Sequence, residues 1–104
     1  MEFNIKRIGI NGLFVQASGR LDLDTAVDYG TKIKDTIEDS EETITEVVLD
    51  FSEITFISSI GLKVVLEIYN EIAEKGGELK VSGASEEVKK SFLMVGFDKF
   101  IVFE

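Results

Sequence analysis

The stretch LDFSEITFISSIGLKVVLEIY, residues 49–69, passes from an apolar run rich in β-branched residues to apolar positions at helical spacing, with two adjacent serines at the change. TEVVLDF, residues 45–51, predicts a short strand buried on both faces. From Ser59 to Lys75, Leu62, Val65, Leu66, Tyr69, Ile72 and Ala73 fall in one stripe at a period of 3.6. That stripe predicts an amphipathic helix, stopped at Gly76-Gly77. A serine ahead of a helix ordinarily caps it, its side-chain oxygen accepting from one of the first free backbone N–H groups. One cap accounts for one serine, and here there are two.

Upstream, FNIKRI (residues 3–8) and LFVQAS (13–18) read as a β-hairpin, with Asn11-Gly12 as the turn signal. From Asp24 the spacing becomes helical: Ala26, Gly30, Ile33 and Ile37 share one face, behind a cap at Asp24 or Thr25. Downstream, ELKVS (78–82) predicts a strand with Leu79 and Val81 on one side and Glu78, Lys80 and Ser82 on the other, so one sheet face is partly open to water. SEEVKKSFLMV (85–95) predicts a helix capped by Ser85, with Val88, Phe92 and Val95 inward and Gly96 as its end. KFIVF (99–103) closes the order β-β-α-β-α-β-α-β. Strand–helix–strand crossovers are right-handed, so if successive strands are neighbours, every helix falls on one face of a mostly parallel sheet. With no proline, low-complexity segment or repeat, residues 1–104 read as a single α/β domain.

Composition removes much of enzymology. With no cysteine and no histidine there is no thiolate, no disulfide, no imidazole base and no ordinary zinc site. The twenty acidic residues are scattered, as on a solvated surface. A net charge of −9 without a basic patch argues against nucleic acid and anionic membranes, and favours a protein partner with a basic docking surface. No apolar run reaches the roughly 18 residues of a membrane span, and the N-terminus has no secretory pattern, so the expected location is the cytoplasm. No cofactor or metal is implied.

Residues 49–69 resemble the phosphorylation-site segment of the bacterial anti-sigma factor antagonists, the founding branch of the STAS domain family. There an apolar strand leads into Asp-Ser-Ser-Gly-Leu, and the first serine of that run is phosphorylated. SGRLDLDTA (18–26) resembles the family's Gly-x-Leu-Asp-x-x-Thr-Ala entry to the first helix. KGGELKVSGASEEVKKSFLMVGFDKFIVF (75–103) resembles its Gly-Gly strand and following helix, so nearly the whole chain is covered.

The resemblance implies a STAS fold and places the phosphoacceptor on Ser59, with Ser58 as second choice and Gly61 and Leu62 on the family's Gly-Leu. Ser58 stands where the family usually has Asp, and Ile60 where many members have Ser or Thr. It implies an anti-sigma factor that is also a serine kinase as partner. The unmodified protein holds that partner and frees a sigma factor, and a serine phosphatase reverses the modification. Around the acceptor, Lys63 lies four residues on, near enough along a helix face to approach a phosphate. Gly61 lets another backbone come close. Ile60 and Val64 lie off the main stripe, toward Glu67 and Glu71, either as part of a docking patch or beneath a neighbouring helix. Asp22 and Asp24 read as partner contacts or acceptor positioning, against plain capping for Asp24.

Two other functions compete. A STAS module without a switch would scaffold a larger sensor or transporter complex, or bind a nucleotide or small ligand. A carboxylate or magnesium enzyme lacks a glycine-rich phosphate loop, and an aspartate-phosphorylated receiver lacks an acidic pair after its first strand.

Overall fold

The computed structural model describes residues 1–104. Its elements are β1 (Glu2–Ile8), β2 (Gly12–Leu21), α1 (Ala26–Asp39), β3 (Glu46–Ile57), α2 (Ser59–Ala73), β4 (Glu78–Ser82), α3 (Glu86–Met94) and β5 (Val102–Phe103), with a 3-10 turn at Phe97–Lys99. The five strands lie in chain order, β1 antiparallel to β2 and every later pair parallel. This is the expected order and architecture. Leu13 and Val15 of β2, Val47, Leu49 and Phe51 of β3, and Leu79 and Val81 of β4 meet Tyr29, Ile33, Val65, Ile68, Ile72, Val88 and Phe92 of the helices in one continuous buried cluster. The other sheet face carries polar pairs: Gln16 Nε2 donates to Asp50 Oδ2 at 3.3 Å, and Lys80 Nζ lies 3.1 Å from a Glu46 oxygen. Val48 turns toward that open face and is still buried, which accounts for the unbroken apolar run of β3.

Several boundaries differ from the sequence reading. β3 continues six residues past Phe51, and β2 three past Ser18. From Gln16 onward their pairing crosses two register shifts, between Gln16 and Ser18 and between Gly19 and Arg20. The buried residues of β3 there are Phe51, Ile54 and Ile57, a spacing of three that hides a strand from a period-two reading. The hairpin turns through residues 9–11, since Ile8 pairs with Gly12. Gly9 supplies the left-handed backbone (φ 65°). Asn11 instead donates from Nδ2 to the Thr43 carbonyl at 2.6 Å. β5 keeps only Val102–Phe103 of KFIVF, because the 3-10 turn takes Lys99. Val95 is half exposed rather than inward.

The buried face of α2 is Leu62, Val64, Val65, Ile68 and Ile72, rotated from the expected stripe toward Val64. The cause is α1. A Cβ on Gly30 would collide with Val64 Cγ1, so the helices touch where α1 has no side chain. One turn on, Lys34 Nζ lies 3.3 Å from Glu67 Oε1.

Candidate functional site

β2 and β3 end side by side, with Leu21 opposite Ile57. The next residue, Ser58, is extended (φ −90°, ψ 175°), and its N–H donates to the Leu21 carbonyl at 2.9 Å. Its hydroxyl accepts from Gly61 N–H at 3.2 Å and donates to the Leu21 carbonyl at 3.1 Å. Ser58 therefore caps α2 and has its hydroxyl engaged on both sides.

Ser59 is the first residue of α2, exposed, and its hydroxyl joins none of the side-chain hydrogen bonds of the chain. The two serines have separate situations: Ser58 is tied into the fold and Ser59 is free. The first turn of α2 carries no acidic side chain, so the positive end of its dipole is uncompensated. A helix start with free N–H groups and no carboxylate suits an added phosphoryl group. Lys63, one turn along, is exposed and joins none of the chain's ion pairs.

Gly61 is buried: a Cβ there would stand 2.8 Å from the Leu21 carbonyl oxygen and 2.7 Å from Ile57 Cγ1. The backbone it lets approach is the chain's own, which corrects its expected place on a partner surface. Val64 is corrected likewise, being 5% exposed beneath α1. Ile60 is half buried, packed against the core at its edge.

Two apolar side chains absent from the sequence reading are exposed on and just before α1. Gly30 against Val64 and Lys34 against Glu67 show α1 and α2 running side by side at an offset of 33 to 34 residues. Val27 lies three residues before Gly30 on α1, and Ile60 four before Val64 on α2. Val27 is 55% exposed and Leu23, in the loop before α1, 74%. Their signals were available: Val27 lies off the Ala26/Gly30/Ile33 face, and Leu23 sits between two aspartates where no core position needs it.

Before α1, the Asp22 carboxylate accepts from Asp24 N–H at 3.1 Å and lies 3.5 Å from Arg20 Nε. Asp24 is exposed and caps nothing. Thr25 holds the N-cap position without a side-chain cap bond. Arg20 is stacked on the Phe56 ring, 4.1 Å from its centroid. No three acidic side chains converge where a cation could be held, and no helix is long and apolar enough to cross a membrane.

The family model for the STAS domain matches residues 4–104. Among solved structures, the phosphorylated form of SpoIIAA, a Bacillus cell fate determinant, superposes with a TM-score of 0.77 at 19% identity, covering 99% of this chain and 91% of that one. An anti-sigma factor antagonist from Mycobacterium paratuberculosis gives 0.82 at 22% identity, over 98% and 83% of the two chains. A sulfate transporter family protein from Wolinella succinogenes gives 0.74 at 17% identity, over 94% and 80%. At such identities these likenesses establish a shared fold.

Proposed function

The chain belongs to the STAS domain family, and we propose that it is an anti-sigma factor antagonist whose hold on an anti-sigma factor serine kinase ends when Ser59 is phosphorylated. The observation that carries this reading is the division between the serines, with Ser58 consumed as the cap and Ser59 exposed and unbonded at an uncompensated helix N-terminus. Solved structures of anti-sigma factor antagonists with the same fold support it.

In the unmodified state the docking surface is Ser59 itself with Leu23, Val27 and the rim of Ile60, bordered by Asp22, Asp24, Ser58 and Lys63. Phosphorylation adds about −1.5 to −2 charge and three acceptor oxygens. The free N–H groups of the first turn, and Lys63, receive them without unfolding α2. A partner surface fitted to a neutral hydroxyl beside apolar side chains then meets a desolvated dianion, and binding is lost. The machinery of phosphoryl transfer lies on the kinase, and a serine phosphatase resets the switch. This protein acts as binder and substrate in the cytoplasm, not as an enzyme, and needs no cofactor, nucleic acid or membrane.

The test is affinity for the anti-sigma factor kinases of the source organism. Wild type and Ser59→Ala should bind one of them, and Ser59→Glu should lose at least tenfold; equal binding by all three contradicts the switch. A second reading, a STAS module without a switch in a larger sensor or transporter complex, is favoured by the likeness to the sulfate transporter family protein. Capture of a transporter or sensor assembly in place of a sigma factor inhibitor would select it.

A further inference from the structure

Thr25 stands at the N-cap of α1 and does not cap it, although capping is what threonine at that position ordinarily does. Its hydroxyl reaches back along the chain, donating to the Arg20 carbonyl and accepting from Asp22 N–H at 3.1 Å. The same turn is closed by the Asp22 carbonyl, which accepts from Thr25 N–H at 3.2 Å and Ala26 N–H at 2.9 Å. These bonds fix the backbone on both sides of Leu21.

The Leu21 carbonyl is in turn the anchor of the acceptor segment. It receives both the N–H and the hydroxyl of Ser58, at 2.9 and 3.1 Å. It also lies against Gly61, whose missing Cβ makes the approach possible. The Thr25 hydroxyl thus bonds the residues on either side of Leu21 at the end of β2, and the Leu21 carbonyl bonds the residue that caps α2.

We infer that Thr25 is a positioning residue for Ser59: its hydroxyl ties down the end of β2 that holds the Ser58 cap, and the cap sets where α2, and with it the acceptor hydroxyl, begins. The inference rests on Ser59 being the acceptor. It explains why a threonine well placed to cap α1 leaves that helix uncapped. A nucleophile displaced by about an ångström loses rate steeply, whereas the surface that docks the partner is little altered.

Two substitutions separate this role from simple stabilisation. Thr25→Val keeps the branched shape and removes the hydroxyl, and Thr25→Ser keeps the hydroxyl. In the free protein, amide exchange at Ser58 and Gly61 should quicken at least tenfold in Thr25→Val relative to Leu79 and Val81 of β4, which report global opening. Thr25→Ser should restore it. With a kinase that modifies wild-type Ser59, Thr25→Val should lower kcat about tenfold with KM within twofold, again restored by serine. Unchanged relative exchange, or an unchanged kcat, overturns the role of Thr25 and leaves the acceptor assignment standing. A wild-type protein that no kinase modifies overturns the acceptor assignment and the positioning role together.

Discussion

Replacing Ser58 and Ser59 separately by alanine should give unequal losses of stability, because the structure gives the two hydroxyls unequal work. Ser58→Ala removes the acceptor for Gly61 N–H and one of two donors to the Leu21 carbonyl. Loss of a serine cap costs about 1 kcal/mol, within a range of roughly 0.5–2. The second bond adds about 0.5–1 kcal/mol, softened because Ser58 N–H still satisfies Leu21. The sum is about 1–2 kcal/mol, which for a domain of this size lowers Tm by roughly 5–10 °C. Ser59→Ala removes an exposed hydroxyl without a partner and should stay within about 0.5 kcal/mol of wild type. Urea titration followed by circular dichroism reads both, provided the m-values agree. Equal losses, or a larger one for Ser59→Ala, would refute the division of roles and move the free acceptor to Ser58.

Three further outcomes follow from packing and charge. Gly30→Ala should destabilise by about 1–3 kcal/mol through the clash with Val64; in a double-mutant cycle with Val64→Ala the two costs should be less than additive, and strict additivity would deny the contact. Tyr29 is buried, with its hydroxyl unpaired, and burial, aided by the Asp50 charge, holds it protonated far above the ordinary tyrosine range. Tyr29→Phe keeps the edge-on contact with Phe3 and should leave stability unchanged or raise it by up to about 1–2 kcal/mol; a loss above about 1 kcal/mol would mean the hydroxyl is bonded. Burial, and then the facing Glu38 carboxyl, raise the pKa of Glu71 against the weaker opposing effects of Lys75 and Lys34. A raised carboxyl contributes stability at low pH that is lost as pH climbs through the folded-state value. Glu71→Gln should therefore melt higher than wild type near pH 7 and match it well below the ordinary glutamate range, and a lower Tm at neutral pH would contradict that sign.

The order of elements and the parallel sheet were legible because their signals are local: period two in ELKVS, period 3.6 after Ser59, and Gly-Gly where α2 stops. The long ends of β2 and β3 were not, since two register shifts break alternation where the strands outrun β4 and β1. At the site, the helix start and both serines were legible, whereas the choice of cap was not. Asp24 and Thr25 both look like caps in sequence, yet the Thr25 hydroxyl turns back to Arg20 and Asp22, and the Ser58 hydroxyl finds Leu21, 37 residues away. Val64 depended on a neighbour that a helical wheel does not contain. The pairing of Gly30 with Val64 shows that α1 covers it, while Val27 and Leu23 stand exposed.

The most direct measurement is phosphosite mapping by mass spectrometry after incubation with ATP and the anti-sigma factor kinases of the source organism, with Ser58→Ala and Ser59→Ala in parallel. One phosphate is expected, on Ser59, retained at a reduced rate in Ser58→Ala and absent from Ser59→Ala. A phosphate on Ser58 in the wild type, or none from any of these kinases, would contradict it.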